Sequence, residues 1–417
     1  MQSGFLLADV RVVEIGEGRV GPGAGLLLAD LGAEVIKVES ITRVDHTRVS
    51  TLPVTAASSK PWECSPGFMI RNHGKLGITL DLAKPKGRQA FMRLIKVSDI
   101  FFSNEAVGVA EKLGITYEDL VKVNPQIVYL SSTGFGRAGA YAKHVAMGGS
   151  IDAAAGLFGL RDYGDGDGRA VSPNTHCDSI AAATNAFAIL VGLYHRKKTG
   201  RGTFLDASMV EPSISHIGEA IMDYSMNRRI WHSLGNRDIA RSPQGCYRCE
   251  GEDEWVTLSV SSDEEWQRLT VVMDKPQLAR YERFVNVLDR LRNQDELDKL
   301  IGAWTIQHRK FEVTHLLQQA GIAAGAVSNN ADIYADPHVK ERGLLEVIEH
   351  PEAGSHTYAS RLWKLAETEV PKRTHAPTLG EHNDYVLRQI AGLTPEEMAE
   401  LEQEKIIGTT PLVPPQR

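Results

Sequence analysis

The feature that most constrains the fold is an alternation in the first third of the chain. Short runs rich in apolar and β-forming residues are separated by helical stretches. Residues 10–15 are rich in β-formers, residues 24–31 read as a short helix, and residues 34–39 are β again, one βαβ unit. The pattern continues through a strand at 78–80, a helix at 87–97, an apolar strand at 99–102, a helix at 118–123 and a strand at 127–131. Strands that lack polar alternation must be covered on both faces, so the sequence predicts an α/β fold with a mostly parallel sheet.

The chain has 417 residues, more than one hydrophobic core usually serves. A large domain is expected over residues 1–220. From about 221 the texture changes to a Gly/Asn/Arg/Ser-rich loop, a β-hairpin at 245–260 and helices rich in Glu, Arg and Leu, which predicts a smaller inserted α+β domain over 221–325. Residues 326–417 then return to the large domain. Near the end, Thr394 is placed to cap a helix, Pro395 suits its first position and Glu397 completes a capping box.

Forty-six basic against 53 acidic residues give a net charge of −7, which disfavours nucleic acid and points to small-molecule partners. Four cysteines and an N-terminus without a signal-like apolar stretch predict a cytoplasmic protein. The uncharged stretch 179–194 contains Ser179, Thr184 and Asn185, so it reads as a buried helix rather than a membrane span. That helix should end where Arg196, Lys197 and Lys198 precede Gly200. Cys246 and Cys249 form a lone CxxC with no second pair, which reads as strand residues rather than a metal site.

Gly16, Gly18 and Gly21 match GxGxxG after a strand, with Glu39 at the end of the next one, the fingerprint of dinucleotide binding. Pro22, however, suggests that the helix starts only after the third glycine, leaving it very short and turned away from a pyrophosphate. NAD is therefore not expected, and the loop reads as a turn or as the bed of another phosphate-bearing ligand.

Several segments, in order, carry a resemblance. They are Gly21-Pro22, Leu28-Ala29-Asp30-Leu31-Gly32-Ala33-Glu34-Val35-Ile36-Lys37-Val38-Glu39, Asn72-His73-Gly74-Lys75, Leu80-Asp81-Leu82, Asn124-Pro125, Thr133-Gly134-Phe135-Gly136, Lys198-Thr199-Gly200-Arg201-Gly202 and Pro377-Thr378-Leu379-Gly380-Glu381-His382. Together they resemble the class III coenzyme A transferases, the CaiB/BaiF family, which includes formyl-CoA transferase and succinyl-CoA:benzylsuccinate CoA-transferase subunits. The resemblance implies a Rossmann-like large domain built from both ends of the chain, a small inserted domain, and a dimer whose chains interlock like linked rings. The partner chain is a second copy or a related subunit. It also implies coenzyme A as cosubstrate, without a metal or NAD, and without a nucleic-acid or membrane partner.

The position matching the family's catalytic aspartate is Asp178, which on residue type alone reads as an N-cap. Coenzyme contacts are implied for Arg19, Val20, Asn72, Lys75, Asn104 and Lys112, with Arg43 replacing a phosphate-binding arginine that some relatives carry where this chain has Ser40. Gly148, Gly149 and Gly156 are candidates for oxyanion contacts or for tight packing. The family chemistry moves coenzyme A from an acyl-CoA, here expected to be succinyl-CoA, to a carboxylic acid, aromatic or dicarboxylic, through an aspartyl anhydride and an aspartyl thioester. Two alternatives remain. A 2-methylacyl-CoA racemase needs a histidine where Met147 stands, with His144 three residues away. A non-catalytic subunit of a heteromeric transferase would keep the coenzyme motifs and lose the acid. The segment 235–243 lacks the glycine run of formyl- and oxalate-handling relatives.

Overall fold

A computed structural model describes residues 4–50, 58–161 and 175–412. The chain divides into two compact units, the larger containing the N-terminal segment to Leu157, a middle segment ending at Met226, and the chain from Gly343 onward. The smaller is chiefly Asn227–Arg342.

In the larger unit the elements run β1 (Arg11–Ile15), α1 (Val20–Asp30), β2 (Glu34–Glu39), α2 (Pro66–Asn72), β3 (Leu76–Thr79), α3 (Pro85–Lys96), β4 (Ile100–Ser103), α4 (Val109–Leu113), α5 (Tyr117–Leu120), β5 (Val128–Thr133), α6 (Gly148–Ala154), α7 (His176–Thr199) and β6 (Thr203–Ser208). The six strands form one parallel sheet in the order β3-β2-β1-β4-β5-β6. That order is Rossmann-like, and it reverses between β1 and β4, where a crevice opens beyond the strand ends. Successive strand residues face opposite ways, as a pleat requires. Val12, Val35, Ile100 and Val128 pack with Leu28 of α1 and Ile189 of α7. Val13, Ile36, Phe101 and Tyr129 pack with Phe91 and Leu94 of α3 on the other face.

The β2 strand falls where the sequence places it, and α7 ends with Arg196, Lys197 and Lys198 before a left-handed Gly200. Three features differ from expectation. Helix α1 begins at Val20 and runs 11 residues, so Pro22 sits inside its first turn. Proline is tolerated there because first-turn N–H groups have no intrahelical acceptor. Strand β6 was not anticipated; it is an edge strand, half-buried along most of its length. Finally, α7 is long and apolar enough to cross a membrane, yet its Ala181, Ala182, Ala186 and Ile189 are core residues of this unit. It is buried on one face only, since Phe187, Val191 and Tyr194 remain 67%, 48% and 61% exposed.

The C-terminal segment adds a hairpin, and it closes the sheet edge at β3. The N–H of Gly77 donates to His382 Nδ1 at 3.1 Å, and that of Thr79 to Asn383 Oδ1 at 2.8 Å. The helix Pro395–Gln403 opens with the reciprocal Thr394–Glu397 cap read from the sequence. In the smaller unit β7 (Gln244–Arg248) and β8 (Trp255–Ser259) form the expected hairpin, with Cys246 opposite Thr257. A strand not anticipated, β9 (Ala323–Ala326), pairs with β8, and Trp266, Phe284, Leu297 and Val313 fill the core. The hairpin of the larger unit is β10 (Leu345–His350) and β11 (Gly354–Ala359).

Candidate active site

The glycine loop between β1 and α1 rests on buried charge. Glu14 of β1 and Lys37 of β2 have no exposed side-chain surface, and neither has Lys75, which precedes β3. Lys37 Nζ donates to the Gly16 carbonyl at 2.5 Å and pairs with Asp45 at 2.9 Å. Lys75 Nζ donates to Glu14 at 2.9 Å, to the Pro22 carbonyl at 2.8 Å and to Asn72 Oδ1 at 3.1 Å. Two lysines thus hold a carbonyl at the start of the loop and one in the first turn of α1 that follows it. Asn104, just past β4, holds its middle: Oδ1 accepts from the Glu17 N–H and Nδ2 donates to the Glu17 carbonyl, both at 3.0 Å. Burial alone lowers the pKa of both lysines. Around Lys37 the Asp45, Glu14 and Glu39 carboxylates overcome it and hold the ammonium above its usual range. At Lys75 burial dominates and draws the pKa down to about 8. Glu39, which a dinucleotide site would present to a ribose, is instead engaged by the buried Arg48 at 2.8 Å.

Above this bed lies a cleft of ≈ 550 Å³ at the strand reversal. It runs from Glu17, Gly18, Arg19 and Val20, past residues 104–107 and the end of β5, to the loop 142–148 and Asp178. A smaller hollow of ≈ 200 Å³ shares Glu17 and Glu105 with it and continues over Ser40, Arg43 and residues 80–83. Arg43 reaches Glu17 at 3.1 Å there.

Asp178 is the third residue of α7, and Thr175 occupies the N-cap position. The cap itself comes from elsewhere. Asp152 of α6, fully buried, accepts the His176 N–H on Oδ2 and the Cys177 N–H on Oδ1, each at 2.9 Å. The reading of Asp178 as an N-cap is therefore corrected. Its half-buried carboxylate faces the cleft and accepts the Thr175 hydroxyl at 2.5 Å, close to the positive end of the helix dipole. Beside it, burial and then the Asp178 and Asp152 charges push the Cys177 thiol far up, which keeps it neutral.

Among the residues singled out from the sequence, Arg19, Val20, Asn104, Gly148 and Asp178 meet along the cleft, and Arg43 lines the adjoining hollow. Asn72 and Lys75 do not reach either surface. They are buried behind the loop, where the partners just named occupy Lys75, so the expectation of direct coenzyme contact is not what their placement shows. Lys112 is exposed on α4. Gly148 has a packing reason, since a Cβ there would lie 2.8 Å from Thr175. Gly149 faces open space, and Gly156 turns the chain after α6 with a φ of +83° that side chains rarely adopt. Met147 and His144 both line the cleft, with the His144 ring stacked on Tyr141 at 4.7 Å. Asp152, Thr175, Glu14 and Lys37 escaped the sequence reading. A signal existed for two of them, because Glu14 and Lys37 each interrupt an apolar strand.

A sequence model of CoA-transferase family III matches residues 7–383. The succinyl-CoA–D-citramalate CoA-transferase of Chloroflexus aurantiacus is 29% identical over 401 residues, 96% of this chain and 98% of that one. The succinyl-CoA:mesaconate CoA-transferase of Haloarcula hispanica is 30% identical over 386 residues, 91% of this chain and 95% of its own. The crystal structure of a CaiB/BaiF family protein from Brucella suis superposes with a TM-score of 0.83 at 26% identity, covering 91% of this chain and 98% of that one. With its Rossmann-like sheet, its cleft at the strand reversal and a match over nearly its whole length, the chain belongs to CoA-transferase family III and is a CoA-transferase.

Proposed function

We propose that this CoA-transferase moves coenzyme A from succinyl-CoA to a carboxylic acid, aromatic or dicarboxylic, by covalent catalysis at Asp178. The observation that carries the reading is the release of Asp178 from capping: Asp152 satisfies the helix amides, and the Asp178 carboxylate faces the cleft that begins at the glycine loop.

The chemistry follows from the need to keep a thioester from water. The Asp178 carboxylate attacks the donor carbonyl carbon, the C–S bond breaks, and coenzyme A leaves as thiolate while an aspartyl–succinyl anhydride forms. The thiolate then attacks the aspartyl carbonyl, releasing succinate and leaving an aspartyl–coenzyme A thioester. The acceptor carboxylate displaces the thiolate to form a second anhydride. Attack of the thiolate on the acceptor's acyl carbon gives the new acyl-CoA and restores the Asp178 carboxylate. Each step exchanges one acyl bond for another and leaves the proton count unchanged. The coenzyme would lie from the Arg43 hollow across the loop held by Asn104, with its thioester end toward Asp178. The names of the Chloroflexus and Haloarcula relatives support succinyl-CoA as donor. The exposed α7 face of Phe187, Val191 and Tyr194 supports the interlocked dimer implied by the family.

The test is to incubate the protein with succinyl-CoA and then hydroxylamine, which should leave a hydroxamate on Asp178. Supplying an acceptor panel and reading products by mass identifies the acid. An adduct on another residue overturns the assignment. Exchange of an α-proton with deuterated solvent, without an adduct, would favour the racemase reading through His144.

A further inference from the structure

Arg19 and Lys143 are exposed cations of the cleft wall. Glu17 is engaged by Arg43 at 3.1 Å and by His46 at 3.5 Å, and the Asp178 carboxylate by Thr175. Arg19 is exposed on the cleft wall, and no carboxylate among the described residues pairs with it. A second guanidinium lies near. Arg71, half-buried at the end of α2, donates to the Gly67 carbonyl at 2.8 Å and likewise pairs with no carboxylate among the described residues. Burial and then the charge of Arg19 lower the pKa of Arg71, while Asp178 and Asp45 oppose them, so Arg71 lies within electrostatic reach of Arg19 and of both carboxylates.

Exposed cations on the wall shared with Asp178, Arg19 and Lys143, leave a place for a second anion, and the guanidinium fork of Arg19 is the one that suits a carboxylate or phosphate at two oxygens. Anionic oxygens of either of two sources fit: the second carboxylate of a dicarboxylic acyl group, or a phosphate of the coenzyme. The placement favours the first. Arg19 lines the same cleft as Asp178, where the acyl carbon must come for attack, whereas Arg43 lines the separate hollow. An acid with one carboxyl at Asp178 and another on Arg19 is held at both ends, which fixes its reacting carbon.

We infer that Arg19 is the receptor for the remote carboxylate of the acyl group, so that donor and acceptor are both dicarboxylic acids. This rests on the transferase reading above and narrows it, placing aromatic monocarboxylic acids among poor acceptors. Arg71 adds to the positive field behind Arg19.

Succinyl-CoA and butyryl-CoA differ in that a terminal carboxylate replaces a methyl group, which makes them the probes. Formation of the Asp178 hydroxamate is measured with each for the wild type, Arg19→Leu and Arg19→Lys. The wild type should prefer succinyl-CoA, and Arg19→Leu should cut the preference about 30-fold, the scale of a lost charge-assisted hydrogen bond. Arg19→Lys should recover part of it, since a point charge replaces a fork. If both thioesters lose the same factor, Arg19 holds a coenzyme phosphate and the inference is overturned. An unchanged ratio overturns it as well. Wild-type protein that forms an adduct equally fast with both refutes the inference while leaving the transferase reading intact. Wild-type protein that forms none with either refutes both.

Discussion

Asp152 Oδ1 accepts the backbone N–H of Cys177 at 2.9 Å, across 25 positions of sequence, and so fastens α6 to the first turn of α7. The adjacent Asp178 is thereby spared the capping role that its residue type suggests. Replacing Asp152 by alanine leaves the two amides without their buried acceptor, at a cost of about 1–2 kcal/mol. Asp152→Asn keeps one oxygen and should lose less. Urea midpoints of the two variants check this. Because α7 then frays under Asp178, kcat should fall further in the alanine variant than KM for succinyl-CoA rises. Equal stability of the alanine variant and the wild type would show that water replaces Asp152 without loss.

Asp178→Asn removes the nucleophile and retains an oxygen for the Thr175 hydroxyl. Since Asp152 does the capping, the melting temperature should stay within a few degrees of wild type while transfer drops by about 10³-fold or more. Asp178→Glu should also be poor, because an extra methylene moves the attacking oxygen by about an ångström. A steady-state assay with succinyl-CoA separates these outcomes, and transfer by the Asn variant at the wild-type rate would exclude an aspartyl intermediate.

The strands and the parallel sheet were legible in the sequence because their signal is local. Each of the five strands read from the first third is a short run rich in β-forming residues, and residues 34–39 coincide with β2 to the residue. Strand β6 was not legible, because at the sheet edge its Thr203–Ser208 run mixes Thr, Asp and Ser with apolar residues and carries no clean period. The start of α1 was misjudged because Pro22 was taken for the first helical residue, when it is the third. At the site, Asp178 stood out through resemblance, not chemistry. Asp152 could not stand out, since its meaning comes from amides brought to it by the fold. The lysines illustrate the opposite case. Lys75 lies within a motif and reads as a ligand contact, whereas the chain uses it to neutralise Glu14 and hold Pro22.

That difference is testable. Lys75→Ala leaves Glu14 buried with its nearest cation, Lys37, 3.6 Å away, and strips the Pro22 carbonyl of its donor. Breaking one side of such a buried pair costs about 3–5 kcal/mol. Asn104→Ala removes two hydrogen bonds from Glu17 without stranding a charge, so it should chiefly loosen the loop. The expected contrast is a low-melting Lys75 variant beside an Asn104 variant of near-native stability whose KM for succinyl-CoA rises about 10-fold at similar kcat. A Lys75 variant that melts like wild type but binds the thioester weakly would return Lys75 to the role of a ligand contact.

His73 provides a pH signature distinct from catalysis. Its ring is buried, packs edge-on against Tyr358 at 5.6 Å between centroids, and has an Nδ1 without a hydrogen-bond partner. Burial first, then the charges of Arg373, Lys75 and Arg361, lower its pKa from 6.5 to about 3. The unfolded chain therefore takes up a proton at His73 at a pH where the folded chain does not, and stability rises with pH wherever that holds. As pH falls from 6.5 toward 3, the unfolded state gains the proton first and the folded state is progressively disfavoured, by on the order of 2 kcal/mol near pH ~4.5. Above pH 6.5 both states are neutral at this position and the effect vanishes. His73→Phe keeps an aromatic ring against Tyr358 and removes the titration. Melting curves from pH ~7 to ~4 should show the variant losing less stability than the wild type over that interval. Parallel curves would mean that the wild-type imidazole is protonated in the fold, with a partner that relaxes toward it in acid.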